Sequence, residues 1–377
     1  MTETTRSLAL LRAMVDAADR DLLQVIARRM ALVAEIGGVK RSLGLGIRDR
    51  RREREVLDDR VRSAVELGLP RGEVESVFRL LLRASRDYQA TLRVQVTPGE
   101  AARTVAVVGG QGKMGRLLAA MFADIGHRVL VADVDTELTP VEAAAAADVV
   151  VISVPIDVTE QVVREIGPHV REDGLLMDVT SVKRAPVEAM LAATPASVVG
   201  THPMFGPNVH TLQGQRVVLC RARGEGWADW VAHTLTSRGL AVTESTPEQH
   251  DRVMSVVQVL THFQTQVMGL ALARLGVSLQ ETMPFTSPVY LLELYTTARH
   301  FAQASTLYGP IEMRNPLSGD VTRAVRDVAA ELSDVIARGD QESFNGLFEE
   351  VRAFFGEFTT EALEQSSYLI DRIVERT

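Results

Sequence analysis

Apolar residues recur every three or four positions along the first part of the chain, which is the period of one face of an α-helix. Three helices are predicted from this pattern, over residues 7–42, 49–67 and 72–92. The stripe on the first helix is the longest and consists of Leu8, Leu11, Val15, Ala18, Leu22, Ile26, Val33, Ile36 and Val39.

Two short segments bound these helices. GLG at 44–46 breaks the pattern after the first helix, and TPGE at 97–100 forms a linker after the third. We therefore expect an all-α module over residues 1–96. Because one very long helix is hard to bury within a single chain, the pattern favours an intertwined dimer.

After Arg103 the pattern changes to short apolar runs separated by helical stretches, which is typical of a doubly wound parallel sheet. The runs are TVAVVGG, HRVLVAD, ADVVVISVP, GLLMDVTS and SVVGTHP, and two weaker ones, RVVLC and GLAVTES, are expected to be the last strands. From Glu248 onward the pattern is almost entirely helical. We expect an α/β Rossmann-type domain over 103–207 and a mainly helical domain over 208–377.

Composition excludes several classes of protein. No apolar run free of charges reaches the roughly 20 residues of a membrane-spanning helix, so no membrane partner is expected. The amino terminus lacks the apolar block of a secretion signal. The single cysteine, Cys220, can form no internal disulfide, which fits a cytoplasmic protein.

Charge is divided unevenly along the chain. Residues 1–100 hold 19 of the 41 basic and 15 of the 49 acidic side chains, a net charge of +4, which leaves −12 for residues 101–377. Carboxylates interleave the most basic run, RDRRRERE, and argue against a phosphate-binding surface. We therefore expect no nucleic-acid partner.

A glycine-rich turn follows the first apolar run of the second part. Gly110, Gly112 and Gly115 match G-x-G-x-x-G, with a predicted strand before and a predicted helix after. Such glycines let a pyrophosphate approach the backbone at the helix N-terminus. Asp133 ends the next run, 23 residues after Gly110, where a carboxylate accepts from ribose hydroxyls and repels a 2′-phosphate. The pattern predicts NAD rather than NADP.

Two polar residues are placed for catalysis. His202 follows SVVGT and Ser153 ends VVVIS, so both are expected at the carboxyl edge of the sheet, where such folds bind ligands. Histidine titrates in the range suited to taking a proton from a substrate hydroxyl as hydride leaves. We expect His202 to be the base and Ser153 to orient the imidazole or the hydroxyl. From position alone, a histidine that caps a loop is the alternative, and no metal site is predicted.

Six segments, in this order and spacing, resemble prephenate dehydrogenase: GGQGKMGRL, VISVPIDVTEQV, DVTSVK, GTHPMFGP, EQHDRVMSVVQVLTHF and SPVYLLELYTTARHFAQ. The resemblance covers roughly residues 103–310. It implies that His202 polarises the ring hydroxyl of prephenate while hydride passes to NAD⁺ and loss of CO₂ gives 4-hydroxyphenylpyruvate. It also implies that Arg299 holds a substrate carboxylate, a role that suits the guanidinium fork.

Further residues gain roles through the same resemblance. His250 and His262 flank the predicted helix HDRVMSVVQVLTH, where Gln258 and His262 share a face at i and i+4, and all three would line the substrate pocket. Lys183, after DVTS, falls at a matching position beside the cofactor cleft. Leu291 stands where some relatives carry arginine, so tyrosine inhibition would differ here. Without the resemblance, these polar residues would be ordinary helix side chains.

Polar residues of the first module also share helix faces. Arg29 and Lys40 are eleven residues apart and project from one face, about 16 Å apart along the axis. Arg12 lies about 100° from that face and would serve the pocket of a second subunit. Two further sets have i, i+3 or i+4 spacing, namely Asp49, Arg52 and Glu53, and then Ser85 and Gln89. For any one of these residues, a solvated surface position is the alternative.

Residues 8–92 resemble the all-helical chorismate mutases, through LRAMVDAADRDLLQVIARRMALVAEIGGVK, IRDRRRERE and RASRDYQATL. The resemblance implies that Arg29, Arg52 and a second subunit's Arg12 bind the two carboxylates of chorismate. Lys40 and Gln89 would donate to the ether oxygen as its bond to carbon breaks. This pericyclic reaction needs no nucleophile, so placing the dianion and stabilising developing charge is the catalysis available.

The remaining mutase residues, Asp49, Glu53 and Ser85, would position neighbouring groups or the substrate hydroxyl. Both resemblances together imply a bifunctional enzyme of tyrosine biosynthesis, with chorismate and prephenate as substrates, a homodimeric state and tyrosine as inhibitor. Two alternatives stay open. One is another NAD-linked dehydrogenase with a helical C-terminal domain, and the other is an NAD-responsive regulatory protein.

Overall fold

The computed structural model describes residues 7–43, 47, 49–91 and 101–374, so the predicted break at 44–46 and linker at 97–100 lie outside the described residues. The chain divides into two compact units. The first comprises 1–154, 161–180 and 187–245, and the second comprises 155–160, 181–186 and 246–377.

Three helices form the amino-terminal module: α1 (Leu8–Ser42), α2 (Arg50–Glu66) and α3 (Arg71–Thr91). The predicted helices are therefore confirmed. Asp49 begins α2 as its N-cap, because its carboxylate accepts the N–H of Arg52 at 3.0 Å. Gly68 follows the end of α2 with a φ of 70°, a left-handed backbone that glycine adopts without strain.

Most of the apolar stripe on α1 is exposed in the single chain. Val33 is buried, whereas Leu11, Val15 and Leu22 are exposed. A long apolar stripe left open on one helix is typical of a surface that another protein segment covers. The intertwined dimer stays a prediction, and this stripe is the surface that it would cover.

Seven strands of the described residues form one sheet, in the order β2-β1-β3-β4-β5-β6-β7. The strands are β1 (Thr104–Val108), β2 (Arg128–Ala132), β3 (Val149–Ile152), β4 (Leu175–Asp178), β5 (Ser197–Pro203), β6 (Arg216–Arg223) and β7 (Ala241–Ser245). The first five are parallel to one another. All residues of β3 and β4 are buried, which explains their continuous apolar runs.

Helices cover both faces of this sheet, as the doubly wound pattern predicted. They are α4 (Lys113–Asp124), α5 (Pro140–Ala146), α6 (Ile156–Ile166), α7 (Arg184–Ala193) and α8 (Glu225–Ser237). Val105 and Val107 of β1 belong to the core that includes residues of α4 and α8. Ala106 and Val108, which point to the opposite face, belong to the core that includes residues of α5, α6 and α7.

The predicted boundary at residue 207 is wrong. It falls between β5 and β6, whereas the sheet continues through β7 to Ser245. β6 runs antiparallel to β5, so the chain returns directly along the sheet edge, with Pro203 opposite Val217, instead of leaving for a helical domain. RVVLC and GLAVTES are the last two strands, as expected, but they belong to the sheet and not to the helical domain.

The second unit is helical beyond Thr246, as predicted. Its helices are α9 (Pro247–Met254), α10 (Thr261–Arg274), α11 (Leu279–Thr282), α12 (Pro288–Phe301), α13 (Ser305–Arg314), α14 (Ser318–Arg338), α15 (Gln341–Phe355) and α16 (Phe358–Val374). A π-helical segment, Ser255–Leu260, joins α9 to α10. Such segments interrupt α-helices and are frequent at functional sites. Among the described residues, no helix combines the length and apolar character needed to cross a membrane.

Replacing Leu176 with alanine tests the packing of the sheet. Leu176 lies in β4 and is completely buried. The substitution should therefore lower the free energy of unfolding of the sheet and its covering helices, here called the sheet unit, by about 2–5 kcal/mol. Urea unfolding followed by tryptophan fluorescence reports on this unit, since Trp227 and Trp230 both pack at its core. Val134→Ala is the control, because Val134 is 90% exposed, and equal effects of both substitutions would contradict the described burial.

Candidate active sites

The helical module contains a pocket with a volume of about 220 Å³. Every predicted mutase residue except Arg12 lines it. The lining consists of Arg29, Val33, Ile36, Lys40, Ile47, Asp49, Arg52, Glu53, Val56, Leu82, Ser85, Arg86 and Gln89. Arg12 is exposed on α1 and lies outside this lining, as its position on the helix predicted.

Arg29 is held against α3 at one wall of the pocket. Its guanidinium donates to Ser85 Oγ at 2.5 Å and to the Leu81 carbonyl oxygen at 3.3 Å. Burial lowers the pKa of Arg29, and the positive charge of Arg60 adds to this effect. The side chain stays charged, because even a lowered arginine pKa lies far above neutral pH. Ser85 therefore positions a cation in this structure.

Lys40 and Asp49 lie near each other in the lining. Lys40 Nζ donates to the Ile47 carbonyl oxygen at 2.6 Å, which fixes the ammonium near the start of α2. The hydrogen bond from the Arg52 N–H is the main cause that lowers the pKa of Asp49, and the charge of Lys40 contributes. Asp49 therefore caps a helix as well as lining the pocket.

Gln89 presents a side-chain amide that needs a partner. The residue is only 8% exposed, and its Oε1 accepts no hydrogen bond from the described residues. The oxygen and nitrogen of a glutamine amide can exchange places by rotation, so either the acceptor oxygen or the donor NH₂ group can face a ligand. A buried polar atom without a partner is costly, so this amide indicates that the pocket binds a polar molecule.

Arg52 and Arg86 complete the charged lining. Arg52 is 68% exposed at the pocket rim and contacts Glu55. Arg86 forms a 2.6 Å ion pair with Glu53. Sequence reasoning missed Arg86, although it neighbours Ser85 and stands three positions before Gln89 on the same helix.

In the sheet unit, the glycine turn has no room for side chains. A Cβ on Gly115 would overlap the Gly109 carbonyl oxygen, and one on Gly110 would lie 2.8 Å from the Val107 carbonyl oxygen. Gly112 is the N-cap of α4. Gly109, which sequence reasoning missed, has a φ of 80° and a Cβ there would overlap the Ser153 carbonyl oxygen. The adjacent glycines Gly109 and Gly110 in the sequence could have indicated that Gly109 also belongs to the turn.

Asp133 follows β2 and is tied to this turn. Its carboxylate accepts the N–H groups of Gln111 and Val134, both at 2.9 Å. The bare backbone of the turn and this carboxylate beside it fit a dinucleotide, with the pyrophosphate at the start of α4 and a ribose at Asp133. The observed cradle thus agrees with the NAD predicted from the sequence.

His202 and Ser153 both lie at the carboxyl edge of the sheet. His202 is buried as the penultimate residue of β5, and Ser153 directly follows β3. β4 runs between these strands, so the two backbones are about 10 Å apart at the usual spacing. A small substrate at this edge can meet both side chains.

A buried carboxylate lies between them. Asp178, the last residue of β4, accepts the Thr180 N–H at 3.1 Å, the Thr180 hydroxyl and the Thr201 N–H at 3.3 Å. These bonds fix the loop after β4 against the residue that precedes His202. Sequence reasoning missed Asp178, although it begins the quoted motif DVTS.

In the second unit, the buried carboxylate of Asp251 is hydrogen-bonded to the backbone of the segment 181–186. Asp251 accepts the N–H of Lys183 at 2.8 Å and of Arg184 at 3.0 Å, and His250 Nδ1 lies 2.8 Å from the same carboxylate. Burial acts to raise the pKa of Asp251, but hydrogen bonds from His250, Arg184 and Lys183 outweigh it, and the pKa is lowered. Lys183 and His250 are themselves fully buried, which the sequence did not predict.

Gln258 and His262 lie on the π-helical segment and on α10. The His262 ring meets Tyr308 edge-on at 4.8 Å and lies 5.5 Å from the ring of His300. Burial lowers the pKa of His262 to about 4, and the charge of His300 adds to the effect, so His262 is neutral at physiological pH. Arg299, on α12, is exposed.

Gly115→Ala tests the cradle. The added methyl would overlap the Gly109 carbonyl oxygen, so the turn must open and NAD⁺ should bind at least about tenfold more weakly in calorimetry. Gly226→Ala is the matched control, since Gly226 lies in α8 with open space around its Cα. Unchanged NAD⁺ affinity in Gly115→Ala would show that the cofactor binds elsewhere.

The lowered pKa of His262 predicts an acid-sensitive contribution to stability. Its folded-state pKa of about 4 lies below the ordinary 6.5, so the unfolded chain takes up the proton first as pH falls. The contribution is complete above about pH 6.5 and is lost toward about pH 4. His262→Gln should therefore flatten the fall in melting temperature over this range, whereas the exposed His210→Gln should not. Parallel curves for all three proteins would contradict the described burial.

Comparison with known proteins follows the same division of the chain. The family described as "Chorismate mutase type II" matches residues 11–90. The family described as "Prephenate dehydrogenase, nucleotide-binding domain" matches residues 117–243, and "Prephenate dehydrogenase, dimerization domain" matches 246–350. The boundary between these last two matches agrees with the end of β7 at Ser245.

Curated relatives match over almost the whole length. The T-protein of Enterobacter agglomerans is 35% identical over 363 residues, which are 96% of this chain and 97% of the relative. The T-protein of Haemophilus influenzae is 32% identical over 362 residues, 96% of each chain. A probable arogenate/prephenate dehydrogenase of Methanocaldococcus jannaschii is 34% identical over 72% of this chain and 64% of its own.

Solved structures share the dehydrogenase fold. Prephenate dehydrogenase from A. aeolicus, in complex with hydroxyphenyl propionate and NAD⁺, superimposes with a TM-score of 0.56 at 18% identity, covering 68% of this chain and 98% of that one. These matches favour neither a different NAD-linked dehydrogenase nor a regulatory protein. Since the two enzyme parts occur in one polypeptide with the extent and order of its relatives, the chain belongs to the bifunctional chorismate mutase/prephenate dehydrogenases, the T-protein family of tyrosine biosynthesis.

Proposed function

We propose that the pocket of the helical module converts chorismate into prephenate with the residues predicted from the sequence. The observation that carries this assignment is a pocket lined by cations that also holds a buried amide oxygen, Gln89 Oε1, with no hydrogen-bond partner among the described residues. Four cations face two carboxylates, a net charge of +2 that matches a dianion, and they are Arg29, Lys40, Arg52 and Arg86 against Asp49 and Glu53.

In this reaction the ether C–O bond breaks while a C–C bond forms, and electrons move around a six-membered ring without proton transfer. Arg29 and Arg52 bind carboxylates, together with Arg12 of the partner subunit. Lys40 and Gln89 donate to the ether oxygen, where negative charge develops. Groups held in place before the reaction stabilise this charge without reorganising, which is their main contribution.

The sheet unit oxidises prephenate, and we assign the steps to its edge residues. Bound NAD⁺, held by the turn Gly109–Gly115 and by Asp133, supplies the hydride acceptor. His202 takes the proton of the ring hydroxyl as hydride leaves the carbon that carries it, and Ser153 orients the hydroxyl. The C–C bond to the ring carboxylate then breaks, CO₂ leaves, its electron pair restores the aromatic ring, and the ring oxygen takes back a proton.

Residues of the second unit have supporting roles in this proposal. Arg299 is exposed and available for a substrate carboxylate, while Gln258 and His262 contribute polar surface toward the substrate. The His250 ring and the backbone N–H of Lys183 are both hydrogen-bonded to Asp251, so we assign these two residues to positioning through Asp251. A fixed backbone keeps the geometry of the side chains that it carries within the tolerance of catalysis.

The assembly and setting are also proposals. The exposed stripe of α1 and the match to a dimerization domain support a homodimer. Tyrosine, which shares the hydroxyphenyl and carboxylate groups of the product, is the proposed inhibitor. The single buried cysteine, Cys220, supports a reducing cytoplasm as the setting.

A pair of substitutions should separate the two activities. His202→Asn removes the base and should lower NADH formation from prephenate by about 10²–10⁴-fold, while prephenate still forms from chorismate. Lys40→Ala removes a donor to the ether oxygen and should lower the mutase rate by about 10²–10³-fold, while NADH still forms from added prephenate.

Both proteins are measured by absorbance of NADH with prephenate supplied directly, and by loss of chorismate absorbance without NAD⁺. Equal damage to both activities by either substitution would count against separate sites. Wild-type protein that forms NADH from neither substrate would overturn the assignment as a whole.

A further inference from the structure

Arg86 occupies a place in the mutase pocket that the sequence resemblance did not assign. It lies on the stripe of α3 formed by Leu82, Ser85, Arg86 and Gln89, all of which line the pocket. Its guanidinium Nη1 donates to Glu53 Oε1 at 2.6 Å, across from α3 to α2. The two side chains are 21% and 18% exposed, so water screens this ion pair only in part.

The pair changes the electrostatics of the pocket. Without Arg86, three cations would face Asp49 and Glu53, and the net charge of the lining would be +1 instead of +2. A carboxylate inside a partly buried pocket also repels the carboxylates of a dianionic substrate, since charges a few ångströms apart interact strongly at low effective dielectric constant.

The pair also fixes geometry. The charge-assisted hydrogen bond from Arg86 to Glu53 Oε1 gives the Glu53 carboxylate a defined direction. A carboxylate so held can accept from a substrate hydroxyl without being attracted onto the cations that must bind the substrate. Arg29 is fixed in a comparable way by Ser85 and Leu81, and Lys40 by Ile47, so the pocket cations of α1 and α3 each have a partner.

We propose that Arg86 is a positioning residue of the mutase, which holds Glu53 in place and cancels its charge so that Arg29, Lys40 and Arg52 match the dianion. This inference rests on the proposed mutase pocket. The alternative is that the Arg86–Glu53 ion pair only stabilises the packing of α2 on α3. In the proposed role, by contrast, the effect of Arg86 on chorismate binding depends on the negative charge of Glu53.

A double-substitution cycle tests this distinction in the full-length protein. Arg86→Met removes the positive charge that Arg86 places on Glu53 and should raise the KM for chorismate at least about tenfold. Arg86→Lys, which keeps the charge, should recover most of that loss. Glu53→Gln with Arg86→Met restores the net charge of +2, so its KM should lie within about threefold of the KM of Glu53→Gln alone.

Arg83→Met is the matched control, because Arg83 is exposed on the same helix and lies outside the pocket lining. NADH formation from prephenate, measured on each protein, shows whether the rest of the chain is intact. The inference is overturned if Arg86→Met resembles Arg83→Met, if lysine fails to recover the loss, or if the double variant is as impaired as Arg86→Met. Absence of mutase activity in the wild-type protein would instead overturn the proposed function itself.

Discussion

The contact between the Gly115 position and the Gly109 carbonyl oxygen is the constraint on which the dehydrogenase part depends. It brings the start of α4 against the end of β1, and that places the N–H groups of the helix at the sheet edge. The parallel order of β1, β3, β4 and β5 then brings Ser153, Asp178 and His202 to the same edge. The chemistry of the site therefore follows from strand direction and from one missing side chain.

The helical module positions charged side chains around a pocket, and it does so without a sheet. It has few buried apolar residues of its own, and its pocket is lined by charged groups that are held in place by hydrogen bonds. Arg29 on Ser85, Lys40 on Ile47 and Glu53 on Arg86 are each fixed before any ligand arrives. Because this pericyclic reaction needs no covalent bond between enzyme and substrate, the arrangement of fixed charges is the main means of catalysis available to the protein.

Sequence reasoning identified the elements well where period and composition agree. The three helices, the buried strands and the glycine turn follow from apolar spacing, and seven mutase residues meet in one pocket because helical spacing fixes their faces. It failed where contacts join distant segments. No local pattern reveals the antiparallel direction of β6, the role of the Asp178 carboxylate or the burial of Lys183, because each depends on residues that are distant in sequence.

The carboxylate of Asp251 has a consequence for how this protein can be dissected. Its two backbone donors, at Lys183 and Arg184, come from a stretch of six residues that is synthesised between β4 and β5. A fragment that starts at residue 246 would keep the buried acid and lose both donors. The second unit therefore needs residues 181–186 as well as the segment from residue 246 onward, and no single truncation of the gene can yield it without part of the sheet.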